Sequence, residues 1–327
     1  MTANMKIPKK RLTILSNSEI IDLYSLPVFD EAMREFYFTL EDSEITEMKS
    51  KKLIESRVNF ILQLGYFKYK EMFFRATFAD VRDDVQYIMN RYFSNEKLPE
   101  VMISKKTRLD HQSRILKLLQ YKLFNSNDQA VLKKHLLKET RLCIDPKDLF
   151  DKTLTFLNEQ RIAIPGYSTL QDIIGQVLTQ EDVRLQSIIN EHLQESADAI
   201  LRKMLMSNSQ KMYGITILKR DAKSFNYQEV MQEVNKKQMS ESLFKVAETI
   251  IPKLDISEEN IRYYAYLVDY YTVDRLKELS YEKVRLYLLC YIFYRFEKIN
   301  DNLINSFFYR INLCESPRAY ARGIPSA

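Results

Sequence analysis

Apolar residues recur at three- and four-residue spacing along most of the chain, a period that predicts helices rather than strands. Leu53, Ile54, Val58, Phe60, Ile61 and Leu64 form one such stretch, and Gly65 stands where a helix commonly ends. A second runs through Val81, Val85, Ile88, Met89 and Tyr92. Asp80, Asp83 and Asp84 lie at its start, where acidic side chains suit the positive helix end, and its predicted span is 79–93. After a polar break containing Pro99, the residues Ile115, Leu116, Leu118 and Leu119 mark a third helix, entered through Ser104-Lys105-Lys106-Thr107-Arg108.

Asp145-Pro146 with Asp148 reads as a helix cap, a proline at the first helical position and an acid in the first turn, opening a helix to about residue 160. The chain turns at Ile164-Pro165-Gly166-Tyr167, and Ser168 is placed to cap a further helix through Leu170, Ile173, Ile174, Val177 and Leu178. Helix, tight turn, helix is the resulting unit. Helical stretches are expected at 183–193 and 197–206, and an extended piece at 215–218. In the last third, Ser257 caps Glu258 and Glu259, and a long helix is predicted over 281–297. The apolar run from Leu286 to Ile292, continuing to Tyr294, is far shorter than the roughly 20 residues a bilayer requires and reads as a buried helix.

Composition strengthens the helical reading. Five glycines and eight prolines in 327 residues starve hairpins and glycine-rich turns, so the predicted class is all-α with little or no sheet. Three widely spaced cysteines, Cys143, Cys290 and Cys314, make neither a disulfide framework nor a zinc pattern and fit a reducing cytoplasm. Residues 1–12 are polar and basic, without the apolar stretch of a secretory signal.

The chemistry that can be assembled is limited. Glycines at 65, 166, 175, 214 and 323 build neither a GxxxxGK loop nor a GxGxxG fingerprint, which excludes those routes to nucleotide binding. His111, His135 and His192 lack HExxH spacing, so no metal site is expected. Acidic pairs on helix faces need no function, so no catalytic residue and no cofactor is assigned.

Charge is more informative. The net charge is only +5, but Lys and Arg outnumber Asp and Glu by 25 to 19 up to Arg141, and from Lys97 to Arg141 by eleven to four. Such an excess concentrates polyanions through screened attraction. Lys105, Lys106, Arg108, Arg114, Lys133, Lys134 and Lys138 are therefore candidate phosphate contacts, although the same residues also suit a solvated helix face. In Gly65-Tyr66-Phe67-Lys68-Tyr69-Lys70, aromatics interleave with lysine. That pattern suits core packing and equally a grip by Lys68 and Lys70 on a sugar-phosphate backbone.

A run of ordered segments carries a resemblance. Ile14-Leu15-Ser16 with Glu19, Tyr24 and Pro27 comes first, then Arg34-Glu35-Phe36-Tyr37-Phe38-Thr39-Leu40 and Phe60 through Lys68. Val81-Arg82-Asp83-Asp84-Val85 with Tyr87-Ile88 follows, and then Thr107-Arg108 with His111 and Ile115. Ile164-Pro165 with Ser168-Thr169-Leu170 comes next, and Tyr264-Ala265 with Leu276, Leu279 and Asn300 through Ile304 completes the series. In this order they resemble the N-terminal region of Tn-three family transposases, to about Asn312. No single segment is specific; the succession is.

The resemblance implies tandem helical, helix-turn-helix-like domains that bind double-stranded DNA at the inverted repeats of transposon ends in a bacterial cytoplasm. The family's RNase H-like domain, with two Asp and one Glu holding divalent metal, lies beyond residue 327. The chain is thus expected to be no enzyme on its own, whether an excised fragment, a truncated gene product or a transposon relic. The expected division is a basic DNA-binding part at 1–141, a second at 142–250, a part leading toward the catalytic region at 251–316, and an unstructured tail at 317–327. Phosphate contacts set affinity while helix starts read bases. Arg108, His111, Gln112 and Arg114 form the first candidate reading head, and Ser168, Thr169 and Gln171 the second. Leu116, Leu119, Ile173 and Val177 are assigned to the core. No membrane or small-molecule partner is expected. The alternative is a helical interaction or regulatory protein that self-associates or pairs with full-length transposase.

Overall fold

A computed structural model describes residues 12–97, 103–207, 212–224 and 226–315. They form fifteen α-helices and one 3-10 turn, with only two isolated β-bridges, Lys122 to Ile162 and Ser207 to Tyr213. The fold class is all-α. The predicted tail at 317–327 and Pro99 in the polar break lie outside the described residues.

The chain divides into two compact units. The first takes the residues up to Leu136 together with Asp145–Val177; the second takes Leu137–Ile144 and the chain from Leu178 onward.

In the first unit, α1 (Asn17–Tyr24) opens with a reciprocal capping box between Ser16 and Glu19, and α2 (Glu31–Phe38) with Asp30 accepting from Met33 N. After α3 (Asp42–Lys49) comes α4 (Ile54–Lys70), which is buried on every side from Phe60 to Phe67. A helix apolar all round belongs at the centre of its unit. Around it lie α2, α3, α5 (Arg82–Tyr92) and α6 (Lys105–Leu118). The predicted stop at Gly65 is corrected: α4 continues for five more residues. Gly65 serves close approach, since a Cβ there would lie 2.4 Å from Phe38 Cδ1.

α4 ends instead at Glu71, whose φ of 54° is left-handed and whose N–H reaches Phe67 O at 2.8 Å. Gln120, Arg161 and Asp255 adopt the same conformation after other helices, and no glycine among the described residues does. In so glycine-poor a chain, ordinary residues carry this strain of roughly 1–2 kcal/mol each.

α7 (Ser126–Glu139), α8 (Pro146–Glu159) and the start of α9 (Tyr167–His192) complete the first unit. Asp145 caps α8 as predicted, accepting from Lys147 N and Asp148 N with Pro146 at the first position. Helix α9 begins at Tyr167, so Ser168 sits inside the first turn rather than at the cap. The helices expected separately after Ser168 and at 183–193 are this single one.

The second unit contains α10 (Glu195–Met204), α11 (Gly214–Lys219), α12 (Tyr227–Leu254), α13 (Glu258–Tyr270), α14 (Val273–Glu278) and α15 (Tyr281–Glu315). α15 packs on α12 and α13 and runs well past the expected end at 297. Its apolar run is buried, with Leu288, Leu289, Tyr291 and Ile292 inaccessible. The extended piece expected at 215–218 is helical, because Ile215 and Leu218, three apart, both point into this core. Burial of that pair outweighs the β-propensity of isoleucine. The division expected at 250/251 falls inside α12, where Ile250 and Ile251 share one core with Leu254 and Val268. Ser257 caps α13 as predicted, accepting from Asn260 N at 3.1 Å. Among the described residues no helix is long and apolar enough to cross a membrane.

Candidate nucleic-acid interface

The basic residues separate by what their side chains already hold. Lys68 pairs with buried Glu44 at 2.7 Å. Lys70 donates to the carbonyl oxygens of Asp22 and Ser25 and lies over the Tyr69 and Phe74 rings, and its partial burial lowers its pKa. Tyr66 and Phe67 are core. These two lysines therefore fasten neighbouring segments to α4, and a DNA phosphate would have to displace partners already in place.

Ser104 caps α6, accepting from Thr107 N at 3.1 Å. Lys105 and Lys106 in the first turn are exposed, with no ion pair or hydrogen bond recorded for either ammonium group among the described residues. Arg108 is half-buried, as is Gln112. Arg114 is exposed but engaged, its guanidinium 2.9 Å from both Glu47 and Asp110.

His111 is the clearest correction. It is fully buried, sharing a 2.9 Å hydrogen bond with Ser56 Oγ, with Asn59 Oδ1 and Gln63 Nε2 at 3.4 and 3.5 Å from its Nδ1. Burial, with the Lys51 charge adding to it, depresses its pKa to about 4. A neutral imidazole enclosed in this way ties α6 to α4.

On α7, Lys133 donates to Gln176 Oε1 at 2.6 Å and so links α7 to α9. Lys134 and Lys138 are exposed one turn apart, opposite the buried Leu132 and Leu136. At the start of α9, Ser168 and Thr169 are exposed, while Gln171 donates to Leu12 O at 2.6 Å. Leu116, Ile173 and Val177 are core as expected, and Leu119 is partly buried against it.

The turn between α8 and α9 is pinned by backbone bonds, Lys122 N to Arg161 O and Ala163 N to Lys122 O, each 2.9 Å. Glu71 adds a second anchor: its carbonyl accepts from Ile164 N at 2.9 Å, and its carboxylate accepts from Tyr121 Oη and Asn158 Nδ2. These bonds tie the turn that precedes α9 to the segments around Glu71 and Lys122. The structure leaves Lys105, Lys106, Lys134, Lys138, Ser168 and Thr169 accessible, half-buries Arg108 and Gln112, and engages Lys68, Lys70, His111, Arg114, Lys133 and Gln171 in internal contacts. Sequence reasoning passed over Lys117 on α6 and Arg75 in the loop after α4, both exposed. Neither lies in a pattern that distinguishes it before folding.

Among the described residues no group of three His, Cys, Asp or Glu is placed to hold a metal ion. His135 stacks on Phe156 at 5.0 Å, and burial pushes the Cys290 thiol far above its usual range.

No curated protein matches the chain. A family model described as a domain of unknown function, DUF4158, matches residues 14–177, ending where the first compact unit ends at Val177. The match spans half of the chain, and the protein belongs to the DUF4158 family.

Proposed function

We propose that this chain binds double-stranded DNA in a sequence-specific way at the terminal inverted repeats of a transposon, as the DNA-reading N-terminal region of a Tn-three family transposase. The observation that carries the reading is the set of exposed lysines, Lys105, Lys106, Lys134 and Lys138, that have no ion-pair partner among the described residues and lie within the most basic stretch of the chain. The ordered resemblance along the DUF4158 span supports it. Lysine ammonium groups set affinity through phosphate contact and counterion release. Ser168 and Thr169, at the start of a 26-residue helix anchored by its preceding turn, supply hydroxyls that reach phosphate or base edges. Arg108 remains a candidate base or phosphate contact. The reading assigns recognition to these residues and no chemical step, metal or cofactor. Nuclease footprinting over a transposon end tests it: protection confined to the terminal repeat is expected, and uniform or absent protection contradicts it.

A second reading, a regulatory protein that pairs with itself or with transposase, is favoured by one feature of α13. Tyr263, Tyr266 and Tyr270 lie on one face and are 44%, 61% and 68% exposed. Exposed aromatics at this spacing suit a protein partner. Sedimentation at rising concentration separates the two, since this reading requires association without DNA.

A further inference from the structure

We propose that the cavity beside α4 in the first unit is a pocket for a single unpaired nucleobase, so that the protein holds one base out of the duplex it binds. This rests on the DNA-binding reading and deepens it. The cavity has a volume of about 170 Å³, and its wall includes Leu62, Gln63, Tyr66, Phe74, Arg75 and Arg108. An apolar cavity of about 150 Å³ holds one benzene ring, so the space is of the size that one planar ring occupies.

The wall chemistry matches a base. Gln63 is 7% exposed; its amide nitrogen donates to Asn59, and its Oε1 has no hydrogen-bond partner among the described residues. A buried carbonyl without a donor is left desolvated and unpaired, and the exocyclic amine or ring N–H of a base supplies that donor. Phe74, half-buried in the wall, offers a ring to the cavity and stands at 85° to the buried Tyr66 ring with centroids 6.3 Å apart. Aromatic faces bind bases by stacking. Arg75 is exposed and Arg108 half-buried, so two guanidinium groups border the cavity where the phosphate of an extruded nucleotide would stand.

The test measures binding of deoxycytidine monophosphate and of 2-deoxyribose 5-phosphate, the same probe without its base, to the full chain by saturation-transfer NMR. Alongside are Gln63→Leu, which removes the acceptor, and Ala76→Trp, which fills the cavity from an exposed position in its wall. The nucleotide is expected to bind at least about tenfold more tightly than the baseless probe. Ala76→Trp is expected to lower nucleotide affinity by about tenfold or more, with its urea midpoint and its affinity for fully paired, non-specific duplex unchanged. Equal binding of the two probes, no binding at millimolar nucleotide, or indifference to Ala76→Trp overturns the pocket. Nucleotide binding of the expected pattern without any duplex binding keeps the pocket and removes the DNA reading; duplex binding without nucleotide binding does the reverse.

Discussion

Gly65 on α4 and Phe38 on α2 meet so closely that a Cβ on the glycine would stand 2.4 Å from the ring, with Tyr37 O at 3.1 Å. Phe38 is fully buried, so its ring has nowhere to retreat. Gly65→Ala gains roughly 1 kcal/mol of helix propensity. Overpacking costs about 1–3 kcal/mol, and an overlap this deep places it at the upper end. Net destabilisation is expected, measured as a lowered urea midpoint. A raised midpoint would show that α2 and α4 separate more easily than their packing implies.

His111 makes stability depend on acid. Its folded pKa of about 4 lies below the ordinary 6.5, because burial and Lys51 disfavour the charged ring. Between these values the unfolded chain binds the extra proton, so stability falls as pH drops from about 6.5 toward 4 and is fully present above 6.5. The loss by pH 4.5 is expected to reach roughly 2–3 kcal/mol. His111→Gln should flatten that part of the pH profile of urea stability. An unchanged slope in the variant would mean that other groups carry the dependence.

Asn260 is a buried junction in the second unit. Its amide donates to Thr140 O at 2.8 Å and to Arg141 O at 3.1 Å, and its carbonyl accepts from Ile144 N at 3.1 Å. Asn260→Leu strands these groups, at about 1–3 kcal/mol for each one left unpaired and buried. Thermal unfolding should begin markedly earlier. A variant as stable as the parent would show that water reaches the 140–144 segment.

How far the sequence foretold these features depends on which physics decides each one. Asp145-Pro146 and Ser257 act within one turn of themselves, and both cap their helices as their local pattern predicts. Gly65 reads as a helix end only if its neighbours in space are ignored; Phe38, 27 positions earlier, gives it another purpose. Ile215 and Leu218 suggest a strand until the core that receives them is known. The basic stretch was legible as charge, but not its division. Lys68, Lys70, Lys133 and Arg114 are committed to Glu44, the Asp22 and Ser25 carbonyls, Gln176, and Glu47 with Asp110. Such pairings are made by the fold, and a charge count along the chain contains no trace of them.

That division sets an ordering among lysine variants. Lys134→Ala and Lys138→Ala should each weaken binding to every duplex alike and reduce the salt slope by about 1. Lys68→Ala should leave the slope unchanged and lower stability, since it strands buried Glu44. Titrations over a salt series check both. The opposite ranking would move the phosphate contacts onto α4.

The most direct test of the central claim is the affinity of the full chain for a duplex bearing the transposon end, relative to a scrambled duplex of equal length, near physiological salt. Specific recognition predicts a preference of about 10³-fold or more for the end sequence. Equal affinities for the two would contradict it, leaving only the attraction of an exposed basic surface for any polyanion.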